Sequence, residues 1–222
     1  MLQHVYERAK RAARLADVWV ATDDDRIARA VEKFGGRALM TSASHRTGTD
    51  RVAEAASLPA AAGYPVVVNI QGDQPLIAPE ALDALVAAFD TAPVPDMATL
   101  FEPLGSLSDL DDPNVAKVVA TTEGNALYFS RGPIPYARST MEGRQRGLES
   151  CFKHVGVYAF RRDFLFEFTR LPHGRLESIE GLEQLRVLEA GRTIRLVPSA
   201  GHSLSVETPG DLDRAATLLT HR

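Results

Sequence analysis

The run Pro65-Val66-Val67-Val68-Asn69-Ile70-Gln71 is the strongest constraint on the fold of this chain. A continuous β-branched stretch without polar alternation reads as a strand buried on both faces, the habit of parallel sheets. Gly72-Asp73-Gln74-Pro75 breaks the run, and Pro79-Glu80 starts a helix to Phe89, with proline at a permitted first-turn position. The same strand-helix unit precedes it twice. Asp17 to Thr22 is a short apolar strand, and Asp23-Asp24-Asp25 opens a helix to Phe34 that Gly35-Gly36 ends. Ala38 to Thr41 is the next strand, followed by a polar loop from Ser42 to Asp50 and a helix through Ala62. Ahead of these lies a helix from Leu2 to Ala16. Leu2, Val5, Tyr6, Ala9, Ala12, Ala13 and Ala16 recur along it at three and four, while Arg8, Lys10, Arg11 and Arg14 fill a solvated face. This alternation predicts an α/β fold with a doubly wound, mostly parallel mixed sheet.

The middle of the chain changes character. Met97–Phe101, Ala116–Ala120, Ala126–Ser130 and Lys153–Phe160 read as strands, with Glu123-Gly124-Asn125 as a hairpin turn. A small antiparallel excursion is therefore expected between Ala116 and Phe160. Arg131 to Gly147 holds two prolines, three glycines and four arginines and reads as a long loop. Helices follow around Arg162–Arg170 and Leu182–Glu189, then a strand at Ile194–Val197. Thr208-Pro209-Gly210-Asp211 carries a cap, a first-turn proline and an acid for a final helix. The length of 222 residues suits a single α/β domain spanning 1–222.

Composition narrows the partners. Lys and Arg number 25 against 29 Asp and Glu, so no bulk attraction to nucleic acid or an anionic membrane is expected. No apolar run approaches the roughly 20 residues of a membrane helix. The first residues lack the pattern of a signal peptide. The single cysteine, Cys151, cannot form an intrachain disulfide and favours a reducing compartment, so a cytoplasmic protein is expected. Gly-x-Gly-x-x-Gly after a strand, the P-loop pattern, zinc-type Cys/His spacing and the Gly-x-Ser-x-Gly elbow are all absent.

Ligands of open α/β sheets bind outside the carboxyl ends of strands. Three polar stretches fall there: Ala21-Thr22-Asp23-Asp24, Gln71-Gly72-Asp73-Gln74-Pro75 and Ser205-Val206-Glu207-Thr208-Pro209. Asp73 is placed to hold a hard cation such as Mg²⁺, or simply to cap the following helix; Glu207 is a second candidate, or a solvated acid.

Seven ordered blocks resemble the 3-deoxy-manno-octulosonate cytidylyltransferase family. They are Gln3-His4-Val5-Tyr6-Glu7-Arg8, Ala21-Thr22-Asp23-Asp24, Gly48-Thr49-Asp50-Arg51, Asn69-Ile70-Gln71-Gly72-Asp73, Tyr128-Phe129-Ser130-Arg131 with Pro133-Ile134-Pro135-Tyr136, Lys153-His154-Val155-Gly156-Val157-Tyr158, and Leu182-Glu183-Gln184-Leu185-Arg186. The resemblance implies a nucleotidyltransferase-type fold and a reaction of CTP with the acid sugar KDO, giving CMP-KDO and pyrophosphate for lipopolysaccharide synthesis. It implies Mg²⁺ on Asp73 and Glu207, and Gly48, Thr49, Asp50, Arg51, Gln71 and Gly72 on the CTP side. Gln71, Arg131, His154, Tyr158, Glu183 and Gln184 would surround KDO, and the protein would be a homodimer. Tyr158 and His154 share a strand face and read equally well as core; Glu183 and Gln184 read also as an exposed helix turn, and Arg131 as the partner of a surface acid. Amino-KDO or sialic acid as the sugar, and a non-catalytic relative binding nucleotide or a partner subunit, are the alternative functions.

The chain departs from the family pattern in three places. Gln74 stands where the family usually has Glu, and Glu207 where it has Asp. The family also begins with a buried strand and a basic triphosphate loop, whereas Met1 already lies at the following helix. A strand and loop upstream of Met1, or a shortened product that folds poorly and does not turn over CTP, is expected from that third departure.

Overall fold

A computed structural model of the chain describes residues 1–137, 141–201, 203–206 and 208–220. Helix α1 covers Leu2–Ala9, followed by β1 (Val20–Thr22), α2 (Asp25–Lys33), β2 (Ala38–Met40) and α3 (Gly48–Ser57). Next come β3 (Val66–Asn69), α4 (Pro79–Ala87), β4 (Met97–Pro103), α5 (Leu107–Asp111), β5 (Lys117–Ala120) and β6 (Ala126–Ser130). Helix α6 (Met141–Ser150) leads into the long strand β7 (Phe152–Arg161), and α7 (Arg162–Phe168), α8 (Arg175–Glu180), α9 (Leu185–Glu189), β8 (Ile194–Pro198) and α10 (Pro209–Thr220) complete the order.

Local sequence explains most of these starts. Asp24 caps α2 by accepting the Arg26 N–H at 2.7 Å. At α10, the Asp211 N–H donates to Thr208 Oγ1 at 3.2 Å while the Thr208 N–H donates to Asp211 Oδ2 at 3.0 Å, a reciprocal cap.

Strand β7 organises the larger sheet. It runs antiparallel to β3, β4 and β5, so those three share one direction. β8 joins β4 in parallel, and β6 turns back on β5 as the expected hairpin. Most strands of this mixed sheet thus point one way, with the antiparallel part centred on β7. Helix α4 and its neighbours cover one face, where Leu82, Leu85, Leu100, Val155 and Val157 pack together. Phe129, Phe160, Phe164, Phe168 and Leu185 fill the other face, giving three layers.

The valine run behaves differently from its reading. Among the described residues β3 is paired on one edge only, and with an antiparallel neighbour. Val66, Val67 and Val68 are only half-buried. Among the described residues β1 pairs only with β2, in a separate parallel pair. β1 and β3 line one groove of about 930 Å³. The Arg162 N–H donates to Pro65 O at 2.8 Å, so alternation along β3 aims the amides of Val66 and Val68 into this groove.

Three further expectations change. The first helix ends at Ala9 rather than Ala16. Beyond it the N–H groups of Ala13 and Arg14 donate to the Asp83 carboxylate at 3.1 and 2.7 Å, an acceptor on α4 that replaces the helical carbonyls. Part of the loop expected from Arg131 to Gly147 is α6, supported by an Arg146–Glu142 pair one turn apart and by Arg144 on Asp111. The helix expected from Leu182 begins only at Leu185, because Leu182 to Gln184 form the turn out of α8. Among the described residues no helix is long and apolar enough to cross a membrane.

Candidate functional site

The site begins where β3 ends and α3 starts. A Cβ at Gly48 would lie 3.8 Å from Gln71 Oε1, so the Gln71 side chain rests against the first turn of α3. Thr47 caps that turn by accepting the Asp50 N–H at 3.1 Å. Thr49 is buried; its hydroxyl donates to Glu183 Oε2 at 2.6 Å and accepts from Asn69 Nδ2 at 3.3 Å. Arg51 reaches Thr41 Oγ1 at 2.7 Å and pairs with Asp23 at 3.3 Å, tying the ends of β1 and β2 to α3. Gly48, Arg51, Gln71 and Gly72 all line the groove.

Asp73 sits two residues beyond Gln71. Its Oδ2 accepts from the Ser205 hydroxyl at 2.8 Å, and its carbonyl accepts the Val206 N–H at 2.9 Å. The other carboxylate oxygen, Oδ1, is buried with no hydrogen-bond partner. An orphaned carboxylate oxygen suits a hard cation that takes its remaining ligands from phosphates and water. Among the described residues no group of three or more His, Cys, Asp or Glu side chains converges, so the protein would contribute few ligands. Glu207 lies outside the described residues. Gln74 is buried beside Asp73 with its own Oε1 unpartnered.

The opposite wall comes from the turn after α8. Gly181 ends that helix at φ +62°, a left-handed conformation that favours glycine, and the chain then turns inward. Gln184 is consequently 2% exposed, so the expectation of an exposed helix turn does not hold. Glu183 accepts from Thr49, but its Oε1 is buried without a hydrogen bond, with Arg186 Nη2 at 3.8 Å. Burial pushes the Glu183 carboxyl above its ordinary range, outweighing the hydrogen bond from Thr49.

His154 and Tyr158 are core residues that are also hydrogen-bonded. The Tyr158 hydroxyl donates to Gln184 Oε1 at 3.2 Å, and Gln184 Nε2 lies 3.4 Å from His154 Nδ1. Burial pushes the His154 imidazole down to about 3 and keeps it neutral. Burial first, and the Glu183 charge second, raise the Tyr158 phenol. Among the described residues, Arg131 is not held by a surface acid's side chain through its guanidinium. Its Nε donates to Glu180 O and its Nη1 to Pro113 O, both at 2.9 Å, beside Gly181.

Sequence reasoning missed three residues around this wall. Arg186 is 4% exposed and grips Glu177 through Nε at 2.8 Å and through Nη2. Burial works against the Glu177 charge, yet bonds from Arg186 and the Gly174 N–H outweigh it and lower its pKa. Lys117 is fully buried and donates to the carbonyls of Asp112 and Arg131, fixing the strand end that carries Arg131. Thr99 lies behind His154, its Oγ1 3.0 Å from Nε2. Lys117 and Thr99 stand in no recognisable motif, and Arg186 only closes the Leu182–Arg186 block without an assigned role; each role is found only from the buried partner.

The cytidylyltransferase family profile matches residues 1–194. The 3-deoxy-manno-octulosonate cytidylyltransferase of Geobacter sulfurreducens is 50% identical over 219 residues, spanning 96% of this chain and 86% of that protein. The chain belongs to the 3-deoxy-manno-octulosonate cytidylyltransferase family. A solved CMP:2-keto-3-deoxy-manno-octonic acid synthetase complexed with CTP superposes on this cytidylyltransferase with a TM-score of 0.88 at 40% identity, covering 99% of this chain and 87% of that one. The 8-amino-3,8-dideoxy-manno-octulosonate cytidylyltransferase of Shewanella piezotolerans is 47% identical over 213 residues, 96% of this cytidylyltransferase and 84% of that relative.

Proposed function

We propose that this cytidylyltransferase transfers the cytidylyl group of CTP to KDO. The anomeric hydroxyl of KDO attacks the α-phosphorus, the new oxygen–phosphorus bond forms as the α–β phosphoanhydride breaks, and pyrophosphate leaves while the hydroxyl proton is lost. No nucleophilic side chain is required, so the protein contributes position and charge. The observation that supports this reading best is the Thr49–Glu183 hydrogen bond at 2.6 Å, which ties the loop at the start of α3 to the turn after α8. Gly48, Thr49, Asp50, Arg51, Gln71 and Gly72 take the nucleotide side in this reading. Gln71, Arg131, His154, Tyr158, Glu183 and Gln184 form the sugar side. Glu183 and Gln184 carry polar atoms suited to sugar hydroxyls, and Arg131 a cation suited to the carboxylate.

Asp73, with Glu207, would hold Mg²⁺, and the orphaned Oδ1 of Asp73 supports that role. The ion would neutralise phosphate charge as it builds. We further propose a cytoplasmic homodimer.

Pyrophosphate release from CTP and KDO tests the reading; no release above background overturns it. The 47% identity to an amino-sugar cytidylyltransferase favours one second reading, in which the acid sugar is 8-amino-KDO. A panel of KDO, 8-amino-KDO and a sialic acid, compared by kcat/KM, decides between them.

A further inference from the structure

Thr99 occupies the middle of β4, opposite Tyr158, where the ladder between β4 and β7 slips. Thr99 pairs with Tyr158 but Leu100 pairs with Val155, leaving Gly156 and Val157 as a bulge in β7. The slip brings two carbonyls of β7 to one hydroxyl. Thr99 Oγ1 lies 2.9 Å from Val157 O and 3.3 Å from Val155 O. A carbonyl only accepts, so the single hydroxyl hydrogen of Thr99 points at them. Toward His154 Nε2, 3.0 Å away, the same oxygen is left as an acceptor.

Hydrogen bonds then run in one direction. The imidazole is neutral and carries its one hydrogen on Nε2, given to Thr99. Nδ1 is left with a lone pair, which takes the Gln184 Nε2 amide at 3.4 Å. Gln184 therefore turns its oxygen to the Tyr158 hydroxyl at 3.2 Å. With the opposite tautomer, Nδ1–H would need the Gln184 oxygen, the amide would flip, and Tyr158 would face an N–H instead. All four side chains are buried, so water does not compensate for either choice.

We propose that Thr99 is a positioning residue that holds His154 as the Nε2–H tautomer and thereby fixes the orientation of the Gln184 amide and the Tyr158 hydroxyl. Where this matters for the acid sugar, it rests on the function proposed above. A site built to hydrogen-bond particular hydroxyls discriminates by which of its atoms are donors. Thr99 sets that polarity without touching the ligand.

The test uses the full chain with ¹⁵N-labelled histidine, unsubstituted and as Thr99→Val and Thr99→Ser. Long-range ¹H–¹⁵N spectra of His154 should show a single Nε2–H tautomer in the unsubstituted and Ser forms. The near-isosteric Val form should show the Nδ1–H tautomer or a mixture. The KM for KDO should rise by ~5-fold in the Val form, the worth of one hydrogen bond, while the KM for CTP stays within ~2-fold and Ser restores both. An Nδ1–H tautomer in the unsubstituted chain, or one unaffected by Thr99→Val, overturns the proposal. So does a tautomer change with no change in the KM for KDO. If the unsubstituted chain releases no pyrophosphate with CTP and KDO, the functional reading falls, and the spectra still decide the role of Thr99.

Discussion

The rings of His154 and Tyr158 lie 5.5 Å apart, centroid to centroid, although four positions separate them on one strand. Four residues of regular strand span about 13 Å. The difference comes from the bulge at Gly156 and Val157, which shortens β7 locally and lets both residues reach Gln184. Tyr158→Phe removes the one hydroxyl at the end of this network and keeps the ring in the core. It should cost about 1 kcal/mol of stability, the net worth of a hydrogen bond. The KM for KDO should rise more than the KM for CTP. Equal changes in both, measured by pyrophosphate release, would leave Tyr158 as a core residue only.

Asp73→Asn keeps the shape of the turn and the bond from Ser205 but removes the charge on the orphaned oxygen. Turnover at saturating Mg²⁺ should fall by at least ~10², because a cation contributes several kcal/mol to transition-state charge. Thermal melting should change little. Near-normal turnover in the variant would remove Asp73 from the cation site.

Arg186→Met leaves the buried Glu177 carboxylate behind the sugar-side wall without its guanidinium, with the Gly174 N–H at 3.0 Å and the half-exposed His173 at 3.3 Å beside it. Breaking such a pair from one side costs about 3–5 kcal/mol. Urea denaturation should show a loss of that order. The double change Arg186→Met with Glu177→Leu should recover much of it. A loss below about 1 kcal/mol would mean that water reaches Glu177 and screens it.

The groove between β1 and β3 predicts a pattern of hydrogen exchange. Val67 and Asn69 face β7, whereas Val66 and Val68 aim their amides into the groove. The amides of Val66 and Val68 should exchange at least ~10²-fold faster than those of Val67 and Asn69, since exchange follows local access to water. Equal protection on both edges of β3, read by NMR, would show that the groove is filled in solution.

Much of the element order is legible because its causes are local. The Asp24 cap, the Gly35-Gly36 stop, the Gly124 turn and the Thr208-Pro209 start each act within a few residues, and the structure keeps them. Errors arise where side-chain contacts outweigh the local helix and turn signals. Asp83 takes the amides of Ala13 and Arg14, and the first helix stops early. Asp111 and the Glu142–Arg146 pair support α6 in a stretch whose prolines and glycines read as loop.

The site divides the same way. Its members around Gly48, Gln71, Asp73, Arg131, His154 and Glu183 stand in ordered blocks that already mark the family in the sequence. Burial does not. Glu183 and Gln184 look like an exposed turn until Gly181 directs them inward, and Thr49 has no apparent partner until Glu183 arrives from 134 residues away. Strand composition reports that β3 is apolar, but its neighbour and its open edge follow from where β7 returns in the sheet. Which residues are needed is written along the chain. Which hydrogen bond each one makes, and so its protonation and polarity, is decided by contacts between distant segments that close only when the sheet assembles.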